Sequence, residues 1–225
     1  MVRLLHHKLD PHSRLIRLMA AEYSASFEMS EISPWKRDPE FLKLSPAATL
    51  PVMIDQGAPA IVGVLANLHY VEEMFAPNPI NGLIPAEPGL RTEMWRLIEW
   101  AIIKLNGEVT QYVLDEKVGK RDTRSGTPDT SILRAAKANL VEHLHYFDWL
   151  FASRSWAAGN EMTLADFALA AHLSCLDYLG DVAWEDHRET KDWYARMKSR
   201  PSFRPLLSDR LVGTPASPTY ADLDF

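Results

Sequence analysis

SPAATLPVMIDQG, residues 45–57, decides the fold. Pro51 opens a short apolar run that reads as a strand over 51–55, and Gly57 supplies the turn to a second strand at 59–61. Working outward, the apolar run at 2–6 predicts a first strand. Pro11 then opens a helix, because its missing N–H falls in the first turn, where none is needed. Residues 26–32 predict another strand, and a helix over 63–74 closes the unit. Strand, helix, three more strands and a helix make a small α/β domain over residues 1–75.

The segment APNPINGLIPAEPG, 76–89, holds four prolines and two glycines and reads as an interdomain linker. Beyond it the apolar period changes to three and four. Leu90, Met94, Leu97, Ile98, Ala101, Ile102, Leu105, Val109 and Tyr112 describe one long amphipathic helix, which the polar stretch GKRDTRSGTPDT at 119–130 ends. Leu133, Ala136, Leu140, Leu144, Phe147 and Phe151 repeat the spacing, so an antiparallel helix pair follows. In MTLADF, 162–167, Thr163 and Asp166 have capping-box spacing, with Met162 stapling onto Phe167. The run ALAAHLSC behind it is apolar on nearly every face, as expected of a helix central to a bundle. An all-helical domain over 90–204 is therefore expected, followed at 205–225 by an extended tail containing Pro205, Pro215 and Pro218.

Composition narrows the function. Hydrophobic residues are 47% and charged residues 24% of the 225, which suits a globular chain. Twenty-four basic against 30 acidic residues leave a net charge of −6 with no basic run, which argues against nucleic acid as a partner. The most apolar stretch, 164–179, is short and carries Asp166, His172 and Asp177, so no membrane insertion is expected. A single cysteine, Cys175, offers no internal disulfide, and the expectation is a cytoplasmic protein. His6 and His7 would face opposite ways on a strand, and His143 and His145 different sides of a helix, so no metal is expected.

LLHHKLDPHSRLIRL (4–18), SPAATLPVMIDQG (45–57) and GNEMTLADFALA (159–170) together resemble the cytosolic glutathione transferases over residues 1–205. The resemblance implies a thioredoxin-like α/β domain followed by an all-α helical bundle, with Leu50-Pro51 as the cis peptide of that family's Asn-Pro-x-Gly-x-Val-Pro element. It also implies that the backbone of Leu50 pairs with glutathione as an added strand. Matching D-P-H-S to the family's C-P-x-x or S-P-x-x places Asp10 where a Ser, Tyr or Cys supports the thiolate. Two negative charges ~4 Å apart repel by about 4 kcal/mol at surface dielectrics, so Asp10 opposes that chemistry. Ser13 and His12 are the nearby groups that could act as catalytic substitutes. Counting back from Tyr70, Gly63 and Val64 fall where the family's Glu/Asp-Ser pair holds the γ-glutamyl end. That change removes hydrogen bonds of roughly 1.5–3 kcal/mol each. Asp10, Leu50, Pro51, Gly63 and Val64 thus describe a vestigial glutathione site, and no cofactor is expected.

Within the family, His6-His7, the PHSR start, Pro34-Trp35, RPSFRPLLSDR and the terminus YADLDF resemble the transferase-like bacterial division proteins that bind FtsZ. This implies a non-catalytic homodimer at the division site that binds FtsZ filaments and favours curved bundles. The alternative is a glutathione-dependent transferase of small hydrophobic electrophiles, with glutathione as cosubstrate. Candidate partner contacts are Trp35, an aromatic in a polar loop; Glu116, near the end of the long helix over the same cleft; and Tyr220, Asp222, Leu223, Asp224 and Phe225 of the tail. Thr163 and Asp166 are read as structural, and Cys175 as packing.

Overall fold

A computed structural model describes residues 2–77 and 82–223. The first unit contains β1 (Arg3–His6), α1 (Pro11–Glu22), β2 (Glu28–Glu31), α2 (Pro39–Leu44), β3 (Val52–Ile54), β4 (Ile61–Val62) and α3 (Val64–Phe75). The sheet order is β2-β1-β3-β4, with β2 parallel to β1 and the other pairings antiparallel. Successive side chains leave a strand on opposite faces. Leu4 and Met53 therefore enter the main core with Leu15, Ile16, Leu68 and Val71, while Leu5 and Val52 meet Phe41 of α2 on the other face. The last strand begins at Ile61 rather than 59, because Pro59 has no N–H to give the ladder.

The linker residues 78–81 lie outside the described residues. Leu83 is buried, with its N–H on the Tyr23 hydroxyl (3.0 Å) and its carbonyl accepting from Leu164 N (3.0 Å). The second unit opens with one helical run, α4, over 88–123, interrupted by widened i→i+5 turns at Trp100–Thr110 and Asp115–Gly119. These turns correct two expectations. Buried positions step by four and five, through Leu105, Val109, Val113 and Val118, so Tyr112 is exposed. The helix also continues past 119 to Thr123, because Gly119 keeps an ordinary helical φ of −60° and the left-handed residue that ends it is Arg124.

Then follow α5 (Thr130–Phe151), α6 (Leu164–Tyr178), α7 (Arg188–Lys198) and the short α8 (Arg204–Leu207). Every residue of α6 is buried. Asp166 accepts from Thr163 N (2.9 Å), Ala157 N (2.8 Å) and the Trp193 indole (2.9 Å), and so ties the α6 N-terminus to α7. The two units meet along α1 and α6. There Arg14 is fully buried, donating to Lys8 O (2.6 Å) and Ser174 Oγ (2.8 Å), while Arg17 makes a two-pronged bond to Asp209 (2.8 and 2.9 Å).

The expected extended tail is instead folded against the bundle. Ser217 N donates to Tyr178 O (2.8 Å), the Tyr220 hydroxyl to Leu206 O (2.9 Å), and the buried Lys198 ammonium to the carbonyls of Thr219 (3.2 Å) and Asp222 (2.6 Å). Among the described residues no helix is long and apolar enough to cross a membrane.

Candidate functional site

A cleft of about 430 Å³ opens between the units, lined by Asp10, His12, Trp35, Leu50, Gln111 and Asp115 among others. Its floor is the start of α1. Asp10 caps that helix through Ser13 N (2.6 Å), so a carboxylate occupies the place where the family reading puts a thiolate partner. Ser13 itself is fully buried, with its hydroxyl covered and away from the cleft lining, which removes it as a catalytic substitute. His12 does line the cleft, but its Nε2 is covered and its ring packs edgewise on buried His172 at 5.5 Å. Burial pulls the His12 pKa below its ordinary value, so its imidazole stays neutral.

One wall is the segment before Pro51, and the Leu50-Pro51 peptide is cis. Asn67, which the sequence reading passed over, fastens it. Its amide lies within donating distance of the carbonyls of Pro51 (3.2 Å), Ile61 (3.0 Å) and Gly63 (2.8 Å). Gly63 is the residue before α3, at φ +93° and ψ 152°, and brings no side-chain cap; Val64 follows with an apolar group. The sole sequence signal for Asn67 is a polar residue on the inner stripe of a helix.

The opposite wall is the Trp35 turn against α4. The Trp35 indole donates to Asp115 Oδ1 (2.7 Å), which also accepts from Gln111 Nε2 (2.7 Å). His7 meets the ring edge at 5.1 Å, and Ser33 Oγ reaches Asp122 (3.0 Å). The ring lies so close to the α4 backbone that a Cβ on Gly119 would stand 2.6 Å from Trp35 Cδ1. Trp35 is therefore locked in place rather than free to rotate.

Glu116 does not project over the cleft. It is buried and turned toward the next helix, accepting from Asp129 N (2.5 Å) and Lys120 (2.6 Å), and both donors hold its carboxyl below the usual range. Its neighbour Asp115 faces the cleft instead.

Tyr220 is likewise a correction. It is fully buried against Tyr178 (5.1 Å between rings) and Arg14, and serves as an anchor rather than a contact. Asp222 is held through its backbone carbonyl, Leu223 is exposed, and Asp224 and Phe225 lie outside the described residues. The Cys175 thiol, donating to Leu9 O at 3.2 Å, is pushed by burial up to about 12. Among the described residues no three metal-ligating side chains gather.

Two family models match the chain: the glutathione S-transferase N-terminal domain over residues 11–74 and the C-terminal domain over 117–201. The chain is similar to FtsZ-localized protein A of Caulobacter vibrioides, with 43% identity over 227 residues, 99% of this chain and 98% of that protein. Among solved structures, a glutathione S-transferase from Sinorhizobium meliloti superposes with a TM-score of 0.95 at 41% identity, covering 100% of both chains. FzlA from C. crescentus does so with 0.93 at 40%, covering 100% of this chain and 99% of that one.

Proposed function

Because the chain belongs to the glutathione S-transferase family, we propose that it is a non-catalytic member that binds FtsZ filaments in the cytoplasm at the division site and favours curved bundles. The observation that carries this reading is its full-length likeness, at 43% identity, to a protein named for its localization with FtsZ. The chemistry of the cleft supports the non-catalytic half. Asp10 opposes a thiolate, Ser13 is buried, and Gly63 and Val64 give a γ-glutamyl end nothing to hold. The locked Trp35 ring supplies a preorganised aromatic contact, since interface hot spots favour rigid aromatic anchors.

A homodimer belongs to the same proposal. Trp100, Tyr146 and Trp149 stack along α4 and α5 with centroids 4.4 and 5.9 Å apart, and Trp149 is 64% exposed, a face that a second copy would cover.

Co-pelleting with GTP-assembled FtsZ tests the main reading. Saturable pelleting with curved bundles by electron microscopy is expected, and no binding above background would refute it. Titration calorimetry with millimolar glutathione should show no saturable heat. A micromolar Kd would bring in the transferase of hydrophobic electrophiles instead.

A further inference from the structure

The turn at 33–37 walls a second groove, of about 370 Å³, in which Lys8, Glu31, Lys36, Arg121, Asp122 and Val212 meet. Its two carboxylates are already engaged. Glu31 pairs with Lys8 at 2.9 Å, and Asp122 accepts Arg121 Nη2 (2.9 Å) and Ser33 Oγ (3.0 Å). The cations are not fully used. Lys36 is exposed and makes no ion pair among the described residues, and Arg121 Nη1 is shielded from water with no acceptor among them. The Arg121 side chain keeps 30% of its surface exposed, lines the groove and adds its positive charge to that of Lys36. In a chain of net charge −6, this is an uncommitted positive site.

The lip of the groove is apolar. Val212 stands 93% exposed at the tip of the Leu211–Thr214 turn, which Gly213 makes possible with φ +75°. A small inorganic anion would use the cations and leave Val212 without a role.

We infer that this groove receives an acidic segment of the partner that also carries an apolar side chain, its carboxylate on Lys36 and Arg121 and its apolar group on Val212. The inference rests on the proposed FtsZ binding and names the chemistry of one contact.

The test is co-pelleting of the full chain with GTP-assembled FtsZ, comparing K36E and V212D with K137E. The last makes the same charge change at an exposed position on α5. K36E and V212D are each expected to weaken binding by about tenfold, because central charge and apolar contacts dominate interfaces. K137E should bind as the parent does, and all three should melt as the parent does, since the altered side chains are exposed. Parent-like binding by both K36E and V212D overturns the inference while leaving FtsZ binding in place. Equal weakening by K36E and K137E overturns it too, since net charge alone would then be responsible. If the unaltered chain fails to pellet, the proposed function falls and this contact with it.

Discussion

Two glycines on α4 make a matched pair. Gly107 is exposed with nothing within 4 Å of an added Cβ, whereas at Gly119 that atom would meet Trp35 at 2.6 Å (Cδ1), 2.7 Å (Nε1) and 3.0 Å (Cγ). Both sites gain about 1 kcal/mol of helix propensity when glycine becomes alanine. At 119 the ring must also retreat by roughly 1 Å to reach ordinary carbon contact. That strains the packing by about 1–3 kcal/mol. It also breaks the 2.7 Å bond from Trp35 to Asp115, worth another 0.5–1.5 kcal/mol or so. G107A should therefore be stabilised by about 1 kcal/mol and G119A destabilised by about 1–3 kcal/mol. Urea unfolding followed by near-UV circular dichroism measures both, and G119A should also lose FtsZ pelleting because its aromatic wall has moved. If G119A is stabilised as much as G107A, the ring is not held against the helix, and the account of a locked cleft wall fails.

Three further outcomes follow from the tail and the histidines. Ending the chain after Asp222 should leave the melting temperature unchanged, whereas ending it after Thr219 removes buried Tyr220 and should cost about 3–5 kcal/mol, read by chemical denaturation; equal stability of the two would place Tyr220 outside the core. In K198M the carbonyls of Thr219 and Asp222 lose their donor, so hydrogen exchange should rise first at Tyr220 and Asp222, whose N–H groups bond the carbonyls of Ser217 and Thr219; unchanged protection there would show that the ammonium does not latch the tail. Burial holds His6 near a pKa of about 4 and lowers those of His7, His12, His143 and His172, so the unfolded chain binds these protons first as the pH falls. Stability is then complete above about pH 6.5 and declines toward about pH 4, by ~3 kcal/mol for His6 alone; a flat unfolding midpoint between pH 7 and 5 would refute this.

Patterns that depend on near neighbours were legible in the sequence. The apolar run at 2–6, the proline that opens α1, the helical stripes and the Thr163–Asp166 spacing each act within a few residues, and the structure has an element at every one. The Leu50-Pro51 cis bond was reached through the family motif around it. Distant contacts were hidden. Tyr220 reads as an exposed tail aromatic until Tyr178, Arg14 and Leu206 are folded around it. Glu116 and Asp115 exchange roles because widened turns rotate the end of α4, and no residue type announces such a turn. Asn67 looks like any polar helix residue until three carbonyls converge on it.

The buried Arg14 reaches Ser174 of α6, and its neighbour Arg17 grips Asp209, so residues of the first unit are indispensable to the interior of the second. Neither unit is self-sufficient. Melting should be a single calorimetric event for the whole chain, and a backbone cleaved within 82–87 should yield two fragments that stay associated and recover the native fold only when mixed.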